Sequence, residues 1–189
     1  LVASLTLDLS WEDNTEALNR PAEHGSDGII SIGTSLAESK KGLQLSQQFT
    51  RPRIHCTAGV HPHNATEWNS DVKLKILRLV ESDKICAAGE MGLDFNRNFS
   101  PKEQQILAFE EQLDIASQCN KPVFLHERDA FDIQFQILKD YMPKLNNAII
   151  HCFTGSRLHL EKYLSLGLSI GITGWICDER RGLAVKELT

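Results

Sequence analysis

No CxxC pair and no zinc-finger spacing occurs in this chain; its five cysteines, Cys56, Cys86, Cys119, Cys152 and Cys177, lie far apart. A zinc finger is therefore not expected. Cys56, Cys86 and Cys152 interrupt or end strand-like runs, where a small thiol packs as an apolar group. Positive charge is also scarce, with 20 Lys and Arg against 25 Asp and Glu and a formal net charge of -5. A broad basic face for nucleic acid is not expected, although a local patch or a bound cation can present one favourable surface. No apolar run approaches the roughly 20 residues of a membrane span, and LVASLTLDLSWED at the start carries no basic leader before a long apolar segment. The simplest expectation is a soluble, cytoplasmic protein with no membrane partner. Low-complexity linkers are missing too. With 189 residues, 41% of them apolar, the expectation is one domain over 1–189 with a substantial core.

What is present is an alternation. GIISIG (28–33) is β-rich and LAESKKGLQLSQQF (36–49) has helical apolar spacing; RIHCTAGV (53–60) is followed by a polar segment and VKLKILRLV (72–80). ICAAG (85–89) leads through a longer connection into PKEQQILAFEEQLDIASQC (101–119), where Ile106, Phe109, Leu113 and Ala116 share a helical face. Ser100 is the expected N-cap of that helix, with Pro101 at its first position and Glu103 closing a capping box. PVFLH (122–126), a helix over 129–141, NAIIHCF (147–153), a helix over 157–166, LSIGIT (168–173) and a terminal helix over 180–188 continue the pattern. Such alternation predicts a mostly parallel α/β sheet. A doubly wound sheet lacks support, because no glycine-rich phosphate fingerprint follows the first strand.

The polar residues collect where the strands end. His61 follows RIHCTAGV, Glu90 follows ICAAG, His126 ends PVFLH and His151 follows AII. A β/α barrel assembles its site at those carboxyl ends. Glu90, His126 and His151 form the predicted metal-ligand cluster, since imidazole and carboxylate together suit a divalent ion with an open position. Each histidine alone reads more simply as a hydrogen-bonded structural residue.

GVHPH (59–63) places His61 near a phosphate or metal and His63 farther outward, against the plainer reading of a proline turn. Asp94, in what reads as an irregular stretch, is expected to anchor a loop, orient Arg97 or accept from a histidine. Arg97, Arg128, Arg180 and Arg181 are candidate phosphate contacts, Arg128 foremost because it follows His126 by two positions. Trp175 is read as a loop anchor or core residue, with base stacking the sharper alternative.

Taken together, GVHPH (59–63), GEMGLDFNRNFS (89–100), PVFLHERDAF (122–131), HCFTGS (151–156) and GITGWICDERRGL (171–183) resemble the TatD family of metal-dependent deoxyribonucleases. The resemblance runs from about Gly28 to the C-terminus. It implies a TIM-type (β/α)8 barrel that hydrolyses DNA phosphodiester bonds, commonly from a 3' end of single-stranded DNA. It also implies one or two divalent ions, with Mg2+ expected and Zn2+ or Mn2+ as alternatives. On the matching positions Glu90, His126 and His151 become ligands, Glu90 and His61 the catalytic residues, and His61, His63, Arg97, Arg128, Arg180 and Arg181 the substrate side. Asp94 and Trp175 are left in supporting roles.

The departures are at the two ends. The family's first-strand His-x-His and its Asp after strand 8 are not recognisable, so the expected barrel is incomplete, with strand 1 partial and strand 8 missing. LVASLTLDLS is expected to hold the trailing edge of strand 1, and Pro21 to kink or shorten the first helix. A complete barrel of this type has about 250 residues. The chain by itself is accordingly expected to have poor activity, the alternatives being an impaired metal- or nucleic-acid-binding barrel and a metal-dependent amide or ester hydrolase.

Overall fold

A computed structural model describes residues 2–5, 28–48 and 53–174. The expected terminal helix, the kink at Pro21, and Trp175, Cys177, Arg180 and Arg181 lie outside the described residues. In chain order the elements are strand β1 (Val2–Leu5), strand β2 (Gly28–Ser31), helix α1 (Leu36–Gln48), strand β3 (Arg53–Ala58), a 3-10 turn (Pro62–Glu67) and helix α2 (Ser70–Val80). Strand β4 (Ile85–Asp94), helix α3 (Lys102–Gln118), strand β5 (Val123–Arg128) and helix α4 (Phe131–Tyr141) come next. Strand β6 (Ala148–Ile150), helix α5 (Arg157–Ser165) and strand β7 (Ser169–Ile170) complete the described fold.

All neighbouring strands pair in parallel, in the order β1-β2-β3-β4-β5-β6-β7, and β1 and β7 form the two edges among the described residues. The expected incomplete TIM-type barrel is what the fold shows: a curled parallel sheet that, among the described residues, does not close. Strands joined by a hairpin run antiparallel, so parallel neighbours need crossovers, and the helices carry them. No described helix is long and apolar enough to cross a membrane.

Side-chain alternation separates two apolar layers. Val123 and Leu125 of β5, Ala88, Met91 and Leu93 of β4, and Cys56 and Ala58 of β3 face the helices, packing with Phe109, Leu113, Leu138 and Tyr163. Phe124, Ala87 and Ile32 form a smaller cluster on the inner face, with Ile149 beside it. The parity matters for function. His126 and Arg128 continue the inner-face series begun by Phe124, and His151 continues that of Ile149.

Two local expectations are corrected. The stretch after Glu90 is strand rather than irregular connection, because Met91 and Leu93 are 1% and 0% exposed and pull the backbone into the sheet. β4 pairs with β5 as far as Asp94↔Arg128, with the register shifting between Gly89 and Met91, so that Glu90 occupies a bulge. Gly92 makes this pairing feasible: its φ is +141°, and a Cβ there would collide with the His126 carbonyl.

The second correction concerns Ser100, which does not cap α3; the N-cap is Pro101, with no side-chain hydrogen bond. Ser100 is fully buried, and its hydroxyl instead donates to the His63 carbonyl at 2.9 Å and accepts from Thr66 N at 3.3 Å. A tertiary contact has displaced the local one. The strands over 147–153 and 168–173 are also shorter than expected, at Ala148–Ile150 and Ser169–Ile170. The four described cysteines are free thiols, with Cys56 buried in the core as its packing role requires.

Candidate metal centre

Backbone hydrogen bonds at the carboxyl ends of β2, β3 and β4 set the site before any side chain is considered. Glu90 N donates to the Gly33 carbonyl at 2.9 Å, and His61 N to the Thr34 carbonyl at 2.8 Å. The turn after β2 thereby fixes both a carboxylate and an imidazole. His61 also caps the 3-10 turn, its Nδ1 accepting from His63 N at 3.1 Å. A ring that accepts at Nδ1 carries its neutral-state proton on Nε2. That Nε2 lies 4.0 Å from Glu90 Oε1.

Glu90 is buried, at 7% exposure, and its Oε1 lies 3.4 Å from His126 Nδ1. The other nitrogen of the same ring, Nε2, is 3.2 Å from Asp94 Oδ2, and Asp94 Oδ2 is also 2.7 Å from His63 Nε2. Glu90 and Asp94 thus grip one imidazole from two sides, which the strand conformation of β4 makes feasible. Asp94 Oδ1 accepts from Asn96 N at 3.1 Å and Arg97 N at 2.8 Å, so this carboxylate both anchors the loop and orients two histidines.

The electrostatics follow from that packing. Burial drives the His126 pKa down, but the Asp94 and Glu90 hydrogen bonds and charges outweigh it and raise it to about 9. His61 goes the other way, to about 3, because burial and then the neighbouring His126 charge disfavour its cation more than Glu90 favours it. For Glu90, burial opposes ionisation, yet the His126 hydrogen bond and the charges of His61, His126 and His151 hold its pKa below the usual value. Asp94 is held well below the carboxylate range, its burial being overcome by His126, the Arg97 amide and His63. Two carboxylates stay ionised in a histidine-rich pocket. Such a balance suits a divalent cation.

His61, His63 and His126 offer donor atoms within 4.8 Å of one another, close enough to share one ion. The expected set was Glu90, His126 and His151. His151 stands somewhat apart, its ring 5.0 Å from Phe124, and burial chiefly lowers its pKa while Glu90 opposes that shift. Its ring makes no hydrogen bond among the described residues. His63, expected farther outward, instead turns its Nε2 onto Asp94.

Arg97 is exposed, with only its backbone tied to Asp94. Arg128 is partly buried and lines a cavity of about 410 Å³ with Glu127, Thr154, Ser156 and His159, at the end of β5.

Three glutamines were not picked out by the sequence reading. Gln112 accepts from Val60 N at 2.7 Å and donates to the Val60 carbonyl at 3.0 Å, holding the segment that presents His61. Gln105 pairs with both backbone groups of Asp94, and Gln134 joins Leu93 N to the His126 carbonyl. All three are at most 1% exposed. Their signal was present: Gln105 and Gln112 are seven residues apart on the core-facing stripe of α3, where an amide needs a partner.

The parallel β/α sheet and the histidines and carboxylates at its strand ends define a metal-dependent hydrolase of the barrel type. A family model, TatD related DNase, matches residues 5–188. The chain belongs to that family. It is 49% identical over 179 residues to the 3'-5' ssDNA/RNA exonuclease TatD of Erwinia amylovora, covering 94% of this chain and 68% of that protein. The same values hold for the protein of that name from Erwinia tasmaniensis. Among solved structures, the TatD homolog YJJV from Escherichia coli superposes with a TM-score of 0.83 at 27% identity, over 93% of this chain and 69% of that one.

Proposed function

We propose that the chain carries the catalytic face of a divalent-metal-dependent exonuclease that removes nucleotides from the 3' end of single-stranded DNA. The supporting observation is the convergence of Glu90, Asp94, His61 and His126 on one end of the sheet, with both carboxylates kept ionised. The substrate class comes from relatives that carry the name 3'-5' ssDNA/RNA exonuclease. A cytoplasmic location belongs to this reading and agrees with four free cysteines.

Glu90, His126 and His151 are the proposed ligands. The His151 ring has no hydrogen-bond partner among the described residues and so offers both nitrogens, whereas His126 would exchange its Nδ1 contact with Glu90 for the ion. A divalent ion held there would supply Lewis-acid polarisation and a lowered pKa for bound water. The ion is proposed as Mg2+, with Mn2+ and Zn2+ as the alternatives that imidazole donors favour. His61 is then free to donate from Nε2–H to a phosphoryl oxygen as charge develops, its ring oriented by the His63 N–H donated to Nδ1. His63, Arg97 and Arg128 line the path of the strand.

The test is release of mononucleotides from a 5'-labelled single-stranded oligonucleotide by the metal-stripped chain, with Mg2+, Mn2+ or Zn2+ added back separately. Slow progressive shortening from the 3' end that EDTA abolishes is expected, in keeping with the poor activity expected of this chain by itself. No shortening with any of the three ions overturns the reading, and shortening only of RNA reassigns its substrate. For the ligand set, H151A is expected to weaken metal binding more than H63A, as read by calorimetric titration; the reverse order moves the ion onto the His61, His63 and His126 group.

A further inference from the structure

Phe99 is the most exposed large apolar side chain among the described residues, at 64%, and it stands beside the proposed site. Its ring centroid is 4.8 Å from that of His63 at an interplanar angle of 72°, and His63 is in turn 4.3 Å from His61. Exposure here does not come from slack backbone. Ser100, next in sequence, is fully buried and bonded to both His63 and Thr66, and Asn98 on the other side adopts φ 50° with its Nδ2 donating to the Phe95 carbonyl at 2.6 Å. The loop is pinned on either side of an aromatic ring held out to water. Exposure alone is ordinary for a surface ring; what sets Phe99 apart is that it is held in place against a histidine of the site, with its phenyl ring left open to a planar ligand.

We infer that Phe99 is a stacking platform for a nucleobase of the bound strand, adjoining the phosphodiester held at the histidine and carboxylate site. The inference rests on the proposed nuclease reading and adds a binding subsite to it. Every base has a π-face, so the platform grips a strand without selecting sequence, as a general exonuclease needs. The exposed Arg97, two residues away on the same loop, is placed to meet the backbone of the same nucleotide. Three features point to a base rather than to a protein surface: a single ring, the contact with a site histidine, and polar neighbours Asn96, Arg97 and Asn98.

The test uses an oligonucleotide with 2-aminopurine as its 3'-terminal base and a phosphorothioate at the last linkage, which slows hydrolysis, with Mg2+ present. The wild-type chain is expected to quench the 2-aminopurine and F99W to retain the quenching, while F99A binds on the order of tenfold more weakly. An otherwise identical strand lacking the terminal base should bind wild type and F99A alike. F99A also tests folding, since an exposed ring contributes little to the melting temperature. Equal affinity of wild type and F99A for the intact strand overturns the platform, as does the absence of quenching in wild type. A penalty from F99A that persists on the abasic strand reassigns Phe99 to positioning His63 and overturns it too. Failure of metal-dependent shortening while quenching persists rejects the nuclease reading and leaves the platform standing.

Discussion

Glu90 is a buried carboxylate whose charge is met by imidazoles, and that choice makes the pocket responsive to an added cation. E90Q keeps the shape and removes the charge; H126A removes the ring between the two carboxylates. Each is expected to weaken divalent-ion binding by about a hundredfold or more, and unchanged affinity in both rejects this ligand set. D94N acts one step back, on the orientation of His63 and His126, and an effect of about 10–100-fold is expected of such a supporting partner. Titration calorimetry separates the two classes. Gly92 is a different kind of residue, needed for its φ of +141° and for the approach of the His126 carbonyl. G92A should cost on the order of 1–3 kcal/mol in chemical denaturation from backbone strain, with further loss from the collision; a smaller change would show that the bulge relaxes freely.

At the scale of the elements, β4 organises the molecule, since it presents Glu90 and Asp94 and is gripped by helices on its outer side. The grip includes hydrogen bonds as well as apolar packing. Q134A would leave Leu93 N unpaired in the core, and Q112A would do the same to Val60 N. Each is expected to destabilise by about 1–3 kcal/mol in urea denaturation.

Glu111 ties α3 to the segment before it, accepting from Lys73 at 2.8 Å and from Trp68 Nε1 at 2.6 Å. Those bonds lower its pKa, with burial opposing. A depressed carboxylate stabilises the fold above its unfolded pKa and loses that contribution as pH falls through the folded value. E111Q should therefore lower stability by about 1 kcal/mol at neutral pH, allowing for solvent screening. The gap from wild type should narrow as pH falls below about 4.3, the ordinary glutamate value. A gap that stays constant down to acid pH would assign the loss to packing alone.

For the whole molecule, seven parallel strands in sequence order bring residues from β3, β4 and β5 to one end, and a divalent ion bound there would couple the ends of separate elements. An ion that binds only the folded chain stabilises it by about 2.7 kcal/mol at roughly a hundredfold excess over Kd. For a chain of this size that is a rise in Tm on the order of 5–10 °C. Scanning calorimetry with and without EDTA should show the shift; an identical Tm would mean that no site forms on the native sheet.

Much of this was legible in the amino-acid order. Alternating apolar runs predict the parallel β/α sheet, because helical and strand periods differ and a parallel crossover demands the helix between. Strand-end placement marks His61, Glu90, His126 and His151, because a parallel sheet brings the carboxyl ends of its strands to one edge. What remained hidden depended on contacts across the fold. GLDF reads as a loop by its glycine and polar content, yet burial of Met91 and Leu93 holds GLD in the sheet and turns Asp94 toward His126. Ser100 has the local signature of a helix cap, but its hydroxyl instead accepts from Thr66 N and donates to the carbonyl of the distant His63. The chain order by itself determined the repeating architecture and the chemical types available at one end of it. Tertiary packing alone decided which nitrogen faces which carboxylate, because those distances depend on the β4 bulge, the three buried glutamines and the register between strands.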